Sequence, residues 1–160
     1  MREVEASLLL AQIELSVPGL TGVLIASPTS TIDCLPVATD LAHAVTLAGG
    51  QVRLVFLGAE EKLMAADAES RDEGVFRGFM DLSDLRDYDR AMRKIVSFGG
   101  VQVVVGRGLL DDGPTLLASR LVEGMVAVVK RGSTARRDLR RMGEWARDAK
   151  LPVMGAVLIR

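Results

Sequence analysis

The sequence predicts an α/β fold: a doubly wound domain on a mainly parallel central sheet of about five strands. Two observations carry this expectation. Five short aliphatic runs are spread along the 160 residues, each continuous rather than alternating, as suits strands covered on both faces. Segments of helical period, several of them bounded by glycine or proline, lie between those runs. Strand and helix therefore alternate, which implies right-handed βαβ crossovers.

The elements follow in order. Residues 1–16 form an opening helix whose apolar stripe is Val4, Leu8, Ala11 and Leu15, widened by Leu9 and Ile13. The first strand is TGVLIAS (21–27). A helix over 36–48 sets Val37, Leu41, Ala44, Val45 and Ala48 on one stripe and stops at Gly49-Gly50. QVRLVFLG (51–58) is the second strand. Residues 59–82 are polar and mixed and receive no assignment. A helix over 83–97 starts at a Ser83 cap and stops before Gly99-Gly100. VQVVVG (101–106) is the third strand, and a helix over 114–122 opens with Pro114 in its first turn. GMVAVVK (124–130) is the fourth strand. A helix over 133–149, starting at Ser133 or Thr134, stripes Leu139, Met142, Trp145 or Ala146, and Ala149. PVMGAVLI (152–159) is the fifth strand.

Composition narrows the function classes. The length is that of one domain, taken here as residues 1–160. With 49% hydrophobic residues the chain is not disordered, and with 4% aromatics its core must be Val, Leu, Ala and Met. Twenty basic against 21 acidic residues argue against a general nucleic-acid binder. One cysteine excludes an internal disulfide and a multi-cysteine zinc site. No apolar run reaches the roughly 18 residues of a membrane span, and Met1 to Glu5 carries both charge signs, unlike a signal peptide. The expectation is a soluble, cytoplasmic protein with no direct membrane insertion.

Residues 20–48 have the frame of a phosphate-binding loop, and here the chain resembles the catalytic domain of bacterial tyrosine kinases of capsule and exopolysaccharide systems, within the wider MinD/ParA-like group of P-loop ATPases. That family's loop has the general form S-P-x-P-G-E-G-K-S-T-V-A-x-N-L-A. Ser27, Pro28 and Thr29 match its entry, and Val37, Ala38, Leu41 and Ala42 match its exit helix without a gap. Residues 122–160 resemble the family's closing strand–helix–strand, and EASLLLA (5–11) lies where the family carries E-x-x-R-x-x-R. The resemblance implies a P-loop-like strand order of second, third, first, fourth, fifth. It also implies that a strand–helix unit is missing between the second and third strands.

Inside that frame the chemical positions are replaced. The lysine that would reach the phosphates is Cys34, and the hydroxyl residue that would hold magnesium is Leu35. Two loop glycines are Thr31 and Asp33, and Pro36 removes a further N–H. The second acidic motif is Phe56-Leu57-Gly58-Ala59, the aspartate ending the third strand is Gly106, and the asparagine that reads adenine is Ile159. The arginines of the opening helix are Leu8 and Ala11. The one tyrosine is Tyr88, so the tyrosine cluster of active members has no counterpart. Phosphoryl transfer depends on positioning and electrostatic stabilisation by such groups. The resemblance thus implies a vestigial loop (Ser27, Pro28, Thr29, Thr31, Asp33, Cys34, Leu35, Pro36) with no cofactor, no metal and no catalytic residue.

Other residues carry two readings each. Cys34 is a reactive thiol at a helix N-terminus or a small residue filling the space of a lost lysine. His43 lies nine residues on, about two and a half turns, so the two side chains point apart. Asp111 and Asp112 are a metal-binding pair or a turn capping the helix at Pro114. Arg136, Arg137, Arg140, Arg141 and Arg147 form a solvated face or a partner surface. The leading functional expectation is an inactive adaptor in polysaccharide biosynthesis or export. Its partner is a membrane co-polymerase or an active kinase homologue, which would hold it at the inner membrane. Contact would run through Val4, Leu8, Ala11 and Leu15 or the four clustered arginines, with a second copy of the chain as another candidate partner. The alternatives are a MinD/ParA-like positioning or structural protein that lost its ATPase, and a re-purposed enzyme using Cys34.

Overall fold

The apolar runs become strands and the periodic segments between them become helices. The computed structural model describes residues 3–16, 18–57, 75–80, 90, 93 and 98–160. In chain order these form α1 (Glu3–Ser16), β1 (Gly22–Ser27), α2 (Leu35–Leu47), β2 (Val52–Leu57), β3 (Val75–Met80), β4 (Val101–Gly108), α3 (Gly113–Ala118), β5 (Gly124–Lys130), α4 (Arg136–Asp148) and β6 (Val153–Ile159).

The six strands make one sheet in the order β3-β2-β4-β1-β5-β6, and every pairing is parallel. Without β3, this is the expected order. β3 is the correction: VFRGFM lies in the unassigned segment and extends the sheet beyond β2. Arg77 and Gly78 interrupt its apolar run, which hid it. The strand of the unit thought missing between β2 and β4 is therefore present. The helix expected over 83–97 lies outside the described residues except for Arg90 and Arg93, which are helical.

The sheet is covered on both sides. Ala6, Leu9, Leu10 and Ile13 of α1 and Val37, Ala38, Leu41 and Val45 of α2 pack with one face of the strands. Ala118 of α3 and Met142 and Ala146 of α4 pack with the other. β1 lies centrally and all six of its residues are buried, the pattern of a doubly covered parallel strand.

Helix ends depart slightly from expectation. α2 ends as predicted, with Gly49 at φ +81 and the Gly50 N–H on the Val45 carbonyl, a left-handed stop that glycine adopts without strain. Ala48 caps this helix and is exposed, so it is not part of the buried stripe. α3 is shorter than predicted and stops at Ala118. α4 starts later, after an Ala135 cap, because the Thr134 hydroxyl accepts the Lys130 N–H in the preceding turn. On α4 Met142 and Ala146 are buried, Leu139 and Trp145 half-buried, and Ala149 exposed.

Candidate functional site

Parallel α/β sheets bind ligands beyond the carboxyl ends of their strands, where the strand order changes direction. In this sheet that place lies at the ends of β1, β2 and β4. A cleft of about 350 Å³ opens there, lined by Ser30 to Cys34, Phe56, Leu57 and Val105 to Arg107. Its ionisable side chains are Asp33, Cys34 and Arg107.

The loop from β1 to α2 is tied down along its length. Ser27 is fully buried, and its hydroxyl donates towards the carbonyls of Thr29 (2.6 Å) and Arg107 (3.2 Å). The Leu109 and Leu110 N–H groups donate to the carbonyls of Ser27 and Pro28. The Thr29 and Thr31 hydroxyls are 3.1 Å apart. Most telling is Ser30. Its N–H lies 2.9 and 3.1 Å from the two carboxylate oxygens of Asp111, and its hydroxyl lies 3.1 Å from Asp111 Oδ2. A carboxylate from the β4–α3 turn thus occupies a backbone donor of the loop.

Two glycines of β4 permit this approach. A Cβ at Gly108 would collide with Asp111 Oδ1 and the Ser30 nitrogen. A Cβ at Gly106 would sit 2.9 Å from the Ile25 carbonyl oxygen and 2.9 Å from Leu24 Cδ1, so position 106 holds no side chain without movement of β1. Of the Asp111–Asp112 pair, only Asp112 is the helix cap: Thr115 donates to it through N–H (3.0 Å) and hydroxyl (2.7 Å). The Thr115 hydroxyl in turn accepts the Arg107 N–H. Asp111 ties two turns together across the sheet end, a role no sequence pattern marks because Ser30 is 81 residues away. Among the described residues, no group of three His, Cys, Asp or Glu is placed to hold a metal ion.

Cys34 occupies the residue before α2 and is 2% exposed. Burial pushes its thiol from 9.0 up to about 11; the Asp33 charge adds to the rise, and hydrogen bonding with Ser27 opposes it. Desolvation, the largest of these effects, favours the protonated thiol, the opposite of what activates a cysteine. The neighbouring donor is served by Asp33, whose Oδ1 accepts the Leu35 N–H at 3.0 Å. Leu35 and Pro36 are exposed, and His43 is half-buried on α2.

The candidate contact residues are split. On α1, Leu8 is 66% exposed and Ala11 is exposed, whereas Leu9 and Ile13 are buried. The single stripe read from the sequence is therefore two faces, and Leu9 belongs to the inner one, against Gly155. The side chains of Val4 and Leu15 lie outside the described set. Arg136, Arg137, Arg140 and Arg141 are all exposed on α4. The Arg137–Asp138 ion pair at 3.6 Å is open to water and contributes little.

Solved structures of the same architecture carry the comparison. The chimerical protein CapA2B2 superposes with a TM-score of 0.71 at 14% identity, over 92% of this chain and 80% of that one. The VpsO kinase domain gives 0.70 at 13%, over 99% and 96%. The kinase domain of Escherichia coli tyrosine kinase ETK gives 0.65 at 12%, over 91% and 70%. The chain has the fold of these kinase domains. No family model and no curated protein matches the sequence. Against this kinase-domain fold, the described residues include no helix long and apolar enough to cross a membrane.

Proposed function

We propose that this kinase-fold chain is catalytically inactive and works as an adaptor in bacterial polysaccharide biosynthesis or export. Its partner in this reading is a membrane polysaccharide co-polymerase or an active kinase homologue. The observation that carries the proposal is the Ser30–Asp111 contact, which commits a loop N–H to an internal carboxylate and places negative charge where a phosphate would need donors. The replacements at Cys34, Leu35 and Gly106 point the same way, since the matched positions carry neither the lysine, the magnesium ligand nor the strand-end aspartate; the charged side chains that do line the cleft, Asp33 and Arg107, stand at other positions. The exposed Leu8–Ala11 face of α1 offers a surface for the contact.

The test is thermal unfolding with magnesium-ATP and magnesium-ADP in the millimolar range. A nucleotide at ten times its Kd would stabilise the fold by about 1.4 kcal/mol, so absence of any saturable melting shift is the expected result. A shift that EDTA abolishes refutes the inactive reading. The adaptor role is tested separately, by co-purification of the chain with a co-polymerase or kinase and loss of that partner in Leu8→Glu at unchanged melting temperature.

A further inference from the structure

We propose that β6 is the seam of a two-fold homodimer, its outer edge pairing antiparallel with β6 of a second copy about Val157. β6 ends the sheet, and among the described residues no strand pairs with its outer side. Its sequence, VMGAVLI, has no charge and no proline, two of the devices that keep an exposed edge from pairing. The opposite edge strand is different. β3 carries Arg77 near its middle, so pairing β3 with itself about Gly78 would bring two arginines within about 7 Å along the strand, inside one Debye length.

The register follows from the backbone. The β5–β6 pairing shifts between Met125 and Val126 and then runs evenly from Gly155 to Ile159. The Ile159 carbonyl accepts the Arg131 N–H on the β5 side. Alternation along the strand then turns the N–H and C=O groups of Ala156 and Leu158 to the free edge. A dyad at Val157 sets Ala156 opposite Leu158 of the second copy, and the reverse, so all these groups are matched as hydrogen-bonded pairs. Val157 faces its own copy in the closer, non-hydrogen-bonded position. The opposed pairs from Gly155 to Ile159 are apolar, and beyond them Arg160 lies opposite Met154 of the second copy. The two Arg160 residues end up roughly 20 Å apart along the strand, more than two Debye lengths, and do not repel.

Beside this edge lies a groove of about 1030 Å³ between α1 and β6, lined by Glu5, Leu8, Leu9, Gln12, Arg131 and the residues from Ala156 to Arg160. Leu8 and Leu158 are 66% and 65% exposed. An added strand would lay its own Val157 and Ile159 on the α1 side of the extended sheet, into this groove beside Leu8. The seam thus covers an apolar edge and a groove at once, and its self-complementarity is what an isologous contact requires.

The experiment uses the full chain. Sedimentation across the micromolar range should give twice the 17.2 kDa chain mass, falling to a single chain in Leu158→Lys and in Ala156→Lys, both at exposed positions. Disulfide cross-linking fixes the register independently. With the dyad at Val157 the two α-carbons lie about 4.5 Å apart, whereas those of Leu158 exceed the roughly 7 Å limit for a disulfide. Val157→Cys should therefore cross-link at least about ten-fold faster than Leu158→Cys, although Leu158 is the more exposed. The proposal is overturned by a wild-type chain that sediments as a monomer, including one whose edge accepts a foreign peptide instead. It is equally overturned by a dimer that survives both lysine variants, or by Leu158→Cys cross-linking as fast as Val157→Cys.

Discussion

Replacing Cys34 by alanine should reverse the order of stability between wild type and variant as the solution becomes alkaline. The thiol is 2% exposed, and burial raises its pKa from 9.0 to about 11 in the folded chain. Below pH 9 both folded and unfolded chains hold the proton, so the thiol gives no pH dependence. Between pH 9 and about 11 the unfolded chain releases the proton while the folded one keeps it. Rising pH then favours unfolding by about 1.4 kcal/mol per unit, or roughly 2–3 kcal/mol over the window. At pH 8 only the packing of the sulfur is at stake, and its loss to alanine should cost about 1 kcal/mol. The wild type is thus the more stable protein at pH 8 and the less stable one at pH 11. Urea unfolding followed by circular dichroism at stepped pH measures this, and titrations common to both chains, such as those of lysines, cancel in the difference. A difference independent of pH would show that the thiol is not desolvated. A gap that instead changes well below pH 8 would indicate a lowered thiol pKa, and would revive the reading of Cys34 as a nucleophile.

Two further outcomes test the site and the first helix. Asp111→Ala should cost about 1–2 kcal/mol, the low end for hydrogen bonds to a charged group because Asp111 is exposed, and a double-mutant cycle with Ser30→Ala should be non-additive; strict additivity would mean that the hydroxyl part of the contact does not form. Ile13→Ala should lower stability by about 2–4 kcal/mol while Leu8→Ala stays within about 0.5 kcal/mol, and equal effects in denaturant unfolding would contradict the division of α1 into an inner and an outer face.

Strands β1, β4 and β5 were legible because burial on both faces leaves an unbroken aliphatic run, and β6, although one of its faces is open, keeps a charge-free apolar run. β3 was not, since at this edge Arg77 and Gly78 break the apolar run, whereas β6 at the other edge has no such interruption by charge. The α1 stripe misled for a geometric reason. Positions 8 and 9 differ by about 100° around a helix, and with apolar residues at both, periodicity cannot say which faces the sheet. Packing decides: Leu9 lies against Gly155, where a side chain has no room, and Leu8 is left outside.

The loop between β1 and α2 shows how a strand–turn–helix path of the phosphate-loop kind is held in place. Its ends belong to the core, since β1 is buried throughout and α2 covers the sheet with Val37, Ala38 and Leu41. Those ends fix a strand–turn–helix path whatever the residues between them do. The path leaves backbone donors at the turn and at the helix start, which water or an acceptor group can satisfy. An anion is one way to satisfy them. This chain uses two carboxylates of its own: Asp111 takes the Ser30 N–H and Asp33 takes the Leu35 N–H. The β4–α3 turn reaches the loop only because Gly108 has no Cβ. Asp111 and Asp33 thus hold the loop on this path from within the chain. That shape therefore does not by itself require a ligand to sustain it.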